Sequence, residues 1–186
     1  MRAFMAIKTP TEISQEVSKV QNELKKEGFY GSWPSPSNVH MTLFFFGDIS
    51  PERAKKISEV MDEASRQFNV FLFEINKVGV FPPRGLPRVV WIGCEKNEEV
   101  QRLYKGINDS LKKVGFKFEE RFTPHITVGR IKGVPKNWRE KVSGVDLKRT
   151  EFECNTLELL SSKLTPKGAI YTVVHQSVLG GLEYER

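Results

Sequence analysis

The order of predicted elements runs twice along the 186 residues, and this internal duplication restricts the chain to folds built from two copies of one unit. Residues 2–8 form a strand candidate, and Thr9-Pro10 supplies a cap and a first-turn proline for a helix. Ile13, Val17, Val20 and Leu24 recur at helical spacing through Lys26, and Gly28 offers a left-handed stop. A loop rich in Gly, Ser and Pro covers 31–38, and 39–46 is the next strand. Ser50-Pro51 then opens a helix with Ala54, Ile57, Met61, Ala64 and Phe68 on one face, and a strand over 70–80 ends near the Pro82-Pro83 turn.

The same order then restarts. Residues 88–95 are a strand, and Asn97 caps a helix carrying Val100, Leu103, Tyr104, Ile107, Leu111 and Val114 up to Gly115. A strand over 123–129, a short helix over 137–142 and a strand over 150–160 follow. Phe4 and Val90 are 86 positions apart and His40 and His125 are 85 apart, so the halves agree in register as well as in order. The expected architecture is α+β, with two pseudo-symmetric lobes, each an antiparallel-rich sheet with helices on its outer face, and the active site in the cleft between them. Residues 1–186 then form a single bilobal domain, with one half over about 1–80 and the other over about 87–162. A final strand over about 169–178 has no counterpart, and it is expected to return to the first lobe's sheet. The pattern leaves the strand order open.

Hydrophobic residues at 39% and charged residues at 28% fit a globular chain that folds alone, and they exclude a disordered one. The formal charge of +6 favours anionic partners such as RNA, although a basic balance is common and cannot reveal a patch. Cys94 and Cys154 lie outside any C-x-x-C or Cys/His spacing, so buried free thiols are expected rather than zinc ligands. No apolar stretch has signal-peptide or bilayer-spanning length, and the expectation is a cytoplasmic monomer without membrane contact.

The chemistry sits in a repeated string. In Val39-His40-Met41-Thr42-Leu43 the two-residue period places the apolar residues on one face and His40 with Thr42 on the other. Pro124-His125-Ile126-Thr127-Val128 does the same for His125 and Thr127. A single His-x-Thr is better explained by a half-buried histidine beside an ordinary strand threonine. Here, however, two of three histidines fall at equivalent positions of a repeat with the same neighbours, which points to one shared site.

Two imidazoles facing across a pseudo-twofold axis suit in-line displacement at phosphorus, where the attacking and leaving oxygens lie on opposite sides. One removes a proton from water and the other, charged, protonates the departing ribose oxygen, both forms being accessible near neutral pH. Thr42 and Thr127 can place hydroxyls on the non-bridging oxygens. No metal or other cofactor is required, and with one strong ligand per motif a metal set is incomplete.

Arg130 lies three positions past Thr127, and Phe45 is its equivalent in the first half. A nucleotide site needs one cationic phosphate contact and one stacking surface, which these two would supply. Strict alternation turns both toward the core, so Phe45 also reads as simple core, whereas a lone buried arginine would mark a site. Arg88, Lys163 and Tyr171 are further candidates for holding RNA, each with a solvated or packing alternative, and His175 reads as structural. The loop over 31–38, containing Trp33, is either a plain connection or a mobile cover that stacks bases.

His40-Met41-Thr42-Leu43 with Phe45 and Gly47, and Phe122-Thr123-Pro124-His125-Ile126-Thr127-Val128 with Arg130, resemble the paired motifs of the 2H phosphoesterase superfamily. The similarity is to its RNA 2′,3′-cyclic phosphodiesterase branch, also called 2′-5′ RNA ligase-like. It extends over nearly the whole chain, through the Phe81-Pro82 turn, the strand around Trp91, and Ser162, Leu164, Gly168 and Tyr171.

The resemblance implies hydrolysis of RNA ends carrying a 2′,3′-cyclic phosphate to a 2′-phosphate, and leaves open whether the substrate is a tRNA half, another RNA end or a small cyclic nucleotide. It also implies His40 as proton donor and His125 as proton acceptor, roles that the residues alone leave open. It extends to joining RNA ends through a 2′-5′ linkage, with a 5′-hydroxyl in place of water. No P-loop is present, so ATP or GTP would have to bind in the same cleft. The competing expectation is an RNA-end binding module with little catalysis, for which the basic charge suffices.

Overall fold

The apolar period that predicts each helix also fixes the face it buries. In the computed structural model, which describes residues 1–94 and 96–180, α1 (Thr11–Lys26) buries Ile13, Val17, Val20 and Leu24. Pro10 is its N-cap, and the Thr9 hydroxyl, expected as the cap, donates instead to the Val39 carbonyl at 3.1 Å. α2 (Pro51–Gln67) starts where the Ser50 hydroxyl accepts from the Arg53 N–H. α3 (Glu98–Lys113) starts where the Asn97 side chain accepts from the Val100 N–H, with Glu98 and Glu99 at the positive end of its dipole. α4 (Trp138–Ser143) is a short turn over Val142. No helix among the described residues is long and apolar enough to cross a membrane.

The strands are β1 (Arg2–Ile7), β2 (Tyr30–Ser32), β3 (Met41–Asp48), β4 (Phe71–Ile75), β5 (Lys77–Phe81), β6 (Val89–Gly93), β7 (His125–Gly133), β8 (Thr150–Cys154), β9 (Thr156–Thr165) and β10 (Gly168–Val178). Glu95, which the sequence places at the end of β6, lies outside the described residues. One sheet runs β10-β9-β1-β3, a second β2-β7-β6-β5, and β4 pairs with β8, all antiparallel. This is the expected α+β architecture with two related lobes. Each lobe borrows from the other half of the chain: β9-β1-β3 in one matches β5-β6-β7 in the other. β10 does return to the first sheet, beside β9.

Three sequence expectations are corrected. Residues 70–80 and 150–160 are not single strands: each breaks after an edge strand, where β4 and β8 pair with each other and β5 and β9 cross to the opposite lobe. A two-residue apolar period continues through such a break, so the pattern cannot show it. The loop over 31–38 begins in β2, which pairs with β7, and contains a 3-10 turn, Pro36–Asn38.

The third correction concerns the direction of Phe45 and Arg130. Met5 pairs with Phe44 and Ala6 with Thr42, leaving Leu43 as an extra residue in β3. Val90 pairs with Gly129 and Trp91 with Thr127, leaving Val128 as the extra residue in β7. Both are β-bulges, and beyond each the alternation reverses. Leu43 and Phe44 are buried in succession, as are Val128 and Gly129, so Phe45 emerges 64% exposed and Arg130 exposed.

α1 packs on β7, while α2 packs on β10 and α3, so the helices cover the apolar faces of the two sheets. β1 is buried on both faces: Met5 and Ile7 belong to the main core, while Phe4, Ala6 and Leu160 form a small cluster under Tyr171. Cys94 and Cys154 are free and buried, and burial pushes both thiols above their ordinary range, away from reactivity.

His175 and Ser177 on β10 both bond the Asp62 carboxylate of α2, at 2.7 Å each. Burial opposes the charge on Asp62, but the hydrogen bonds from Ser177 and His175, with the positive charges nearby, outweigh it and hold the carboxyl below its ordinary 3.8. A lowered folded value stabilises the fold above the ordinary aspartate range, and this contribution is lost as pH falls through the folded value. Urea denaturation of Asp62→Asn between pH 3 and 7 should therefore show less acid-side loss of stability than the parent. Ser177→Ala should cost roughly 0.5–1.5 kcal/mol at neutral pH.

Candidate active site

His40 precedes β3 and His125 is the first residue of β7, equivalent points of the duplicated strand. Each ring is fixed in the same way: His40 Nδ1 lies 2.8 Å from the Asn38 carbonyl, and His125 Nδ1 lies 2.7 Å from the Thr123 carbonyl. A carbonyl only accepts, so Nδ1 carries a proton in both rings and Nε2 is the nitrogen that gains or loses one. The repeat has therefore duplicated the tautomer as well as the residue.

A cavity of about 390 Å³ is lined by His40, Thr42, Phe45, His125, Thr127, Arg130 and Tyr171. All seven sequence-derived site residues meet there. Phe45 and Arg130 reach it because of the bulges, which overturns the core reading of both. Ring contacts wall each histidine. Phe4 and Tyr171 lie 6.4 and 6.0 Å from His40, and Phe81 and Trp91 lie 5.0 and 6.2 Å from His125, between centroids. Gly79 is required beside this wall, since a Cβ there would meet the Trp91 ring at 2.2 Å.

Arg88 and Lys163 do not line the cavity, and His175 is committed to Asp62. The Trp33 loop packs against β7 and α1. Its ring sits where a Cβ on Gly129 would meet it at 2.7 Å, and Gln21 Nε2 donates to the Pro34 carbonyl at 2.8 Å. Asn38 Nδ2 further donates to Ala169 of β10 at 2.8 Å, tying the carbonyl that holds His40 to the neighbouring hairpin.

Two contributors carried no motif. Phe4 sits in an apolar strand and gives no signal of its cleft-facing role. Glu158 could have been found, because a lone carboxylate inside Leu157-Glu158-Leu159-Leu160 has no place in a core unless it is paired. It is 4% exposed, with Oε2 3.6 Å from His40 Nε2, an ion-pair distance longer than a hydrogen bond.

The electrostatics break the geometric symmetry. Burial holds the His125 imidazole below its ordinary range; its bond to the Thr123 carbonyl opposes this, and the Arg130 charge adds to the lowering. One histidine thus has a carboxylate beside it and the other a guanidinium nearby. A neutral imidazole can accept a proton, and an imidazolium beside a counter-ion can deliver one. Among the described residues no group of three or more His, Cys, Asp or Glu side chains could hold a metal ion.

A sequence profile described as LigT like Phosphoesterase matches residues 7–91 and again 92–171. The chain is 35% identical over 181 residues to a Thermotoga maritima protein described as an RNA 2′,3′-cyclic phosphodiesterase, covering 97% of each. It is 35% identical over 177 residues to a protein of the same description from Methanothermobacter thermautotrophicus, covering 92% of this chain and 95% of the other. Its fold matches the crystal structure of E. coli LigT complexed with 3′-AMP with a TM-score of 0.75 at 22% identity, over 96% of this chain and 98% of that one.

Gln21 supports this geometry from α1, since its amide also donates to the carbonyl of Val128, the extra residue of the β7 bulge, at 3.0 Å. Gln21→Ala should leave that carbonyl buried without a partner and cost roughly 1–3 kcal/mol in urea unfolding. Loosening the bulge that aims Arg130 should also slow turnover of a phosphodiester substrate. A variant as stable and as active as the parent would show that the contact has no such role.

Proposed function

The chain belongs to the LigT-like phosphoesterase family, and on that premise we propose that it opens the 2′,3′-cyclic phosphate at the end of an RNA to leave a 2′-phosphate and a 3′-hydroxyl. The observation that carries this reading is the pair of identically tethered imidazoles lining one cavity. In the forward step His125 Nε2 takes a proton from water as the oxygen attacks phosphorus. The bond from phosphorus to O3′ breaks, and His40 Nε2 gives its proton to O3′. Glu158 beside His40 and Arg130 near His125 support this direction of proton flow.

Thr42 and Thr127 donate to the non-bridging oxygens, whose charge grows in the transition state. Arg130 supplies the cationic phosphate contact, and Phe45 and Tyr171 supply aromatic surface for the terminal nucleoside. The same two histidines in the same protonation states serve a second nucleophile. A 5′-hydroxyl in place of water then attacks the same phosphorus and joins two ends through a 2′-5′ linkage. A free nucleotide bound by this chain would occupy the same cleft.

His40→Ala and His125→Ala should each lower kcat on an oligonucleotide ending in a 2′,3′-cyclic phosphate by about 10² to 10⁴, the usual worth of one proton transfer. An undiminished rate in either variant would overturn the two-histidine scheme. Chromatography of the product should show a 2′-phosphate.

The pH profile tests the roles. A base whose folded value is lowered stays neutral to more acid pH, so the acid limb of kcat/KM should fall below the ordinary imidazole value of ~6.5. Arg130→Ala removes one lowering influence and should move that limb upward, whatever it does to the maximal rate. An unmoved limb would assign the limb to another group.

A further inference from the structure

The cavity that holds the histidines adjoins a second one of about 820 Å³, against about 390 Å³ for the first. Phe4, Pro34, Asn38, Phe45, Arg130 and Tyr171 line both, so the two are one continuous cleft. Their chemistry differs. Apart from the shared Arg130 and the two histidines, the first cavity has no charged lining, and its far wall is Phe81, Val89 and Phe122. The second adds Arg2 and Lys167, and among the described residues no Asp or Glu lines it.

Arg2 opens β1 and Lys167 sits in the turn between β9 and β10, so two separate strand ends bring these cations to one hollow. Both side chains are exposed, and among the described residues neither has an acidic partner within ion-pair distance. Trp33 lines the same space and packs against Gly129. Cations that track a phosphate backbone beside a fixed aromatic ring are the two components of a single-strand nucleic-acid subsite.

We propose that this second cavity is the subsite for the nucleotide on the 5′ side of the RNA end, with its phosphate on Arg2 and Lys167 and its base against Trp33. The inference rests on the reaction proposed above. With the cyclic phosphate between the histidines, the chain leaves the terminal ribose only through its 5′ oxygen. A polyanion leaves toward the cationic cavity and not toward the Phe81, Val89 and Phe122 wall. The preferred substrate is therefore an oligoribonucleotide of at least two residues, recognised without regard to base sequence.

The test compares kcat/KM on adenosine 2′,3′-cyclic phosphate and on a triadenylate ending in the same group, at low and high salt. The wild type should favour the triadenylate by about tenfold or more at low salt, with the advantage shrinking as salt rises. Arg2→Ala combined with Lys167→Ala should lower the triadenylate value about tenfold more than the mononucleotide value, chiefly through KM. Lys55→Ala with Lys56→Ala removes the same charge from exposed positions on α2 and should leave the preference intact. Equal losses in the two double variants, or an unchanged preference in the first, would overturn the subsite. If the wild type hydrolysed neither compound, the proposed reaction would fail by itself. Fluorescence anisotropy with the labelled triadenylate would then still decide the subsite, since weaker binding is required of the Arg2/Lys167 variant alone.

Discussion

A matching bulge in each of two equivalent strands governs what the cleft can do. Without the bulges at Leu43 and Val128, the period of two would send Phe45 and Arg130 into the core. A buried unpaired guanidinium would cost several kcal/mol, and the histidine cavity would lose its one arginine together with the Phe45 ring. The bulged residues lie 85 positions apart, the same spacing as the histidines, so the irregularity belongs to the repeated unit. Gln21 bonds the β7 bulge from α1, and the helix layer thereby holds the strand in the form that exposes Arg130.

The exchanged strands explain why a duplicated unit makes one site rather than two. β5 completes the second lobe's sheet and β9 the first lobe's, while β4 and β8 pair with each other, so neither half can build its sheet alone. The histidines of the two halves are thus fixed across one cleft by backbone pairing and not by a flexible linker. In-line chemistry at phosphorus needs groups on opposite sides held to within a fraction of an ångström, and an interlocked scaffold provides that rigidity.

The duplication, the helices and both His-x-Thr pairs were legible in the sequence because each rests on local periodicity or on a repeat in register. The strand exchange was not, since an alternating apolar pattern through Asn76 or Asn155 is the same whether the next strand stays in its sheet or leaves it. The facing of Phe45 and Arg130 was missed for a related reason: a bulge adds a residue without altering composition, and Leu43-Phe44 reads as ordinary apolar strand. Glu158 was hidden by its distance in sequence from His40, although its isolation among leucines was a usable sign. What pairing across the fold decides, spacing along the chain cannot show.

Symmetry of geometry and asymmetry of charge together define the proposed chemistry. Both rings present the same tautomer, so either could in principle act as acid or base, and the reaction could be read from either end. In the proposed scheme Glu158 beside His40 and burial with Arg130 beside His125 favour one direction of proton flow. The nucleophile is a separate matter, because the histidines treat water and a ribose hydroxyl alike. Both histidines are partly exposed, and both line the cleft. In the proposed scheme hydrolysis follows when water takes the attacking position, and joining two RNA ends would need a second strand whose binding holds its 5′-hydroxyl there.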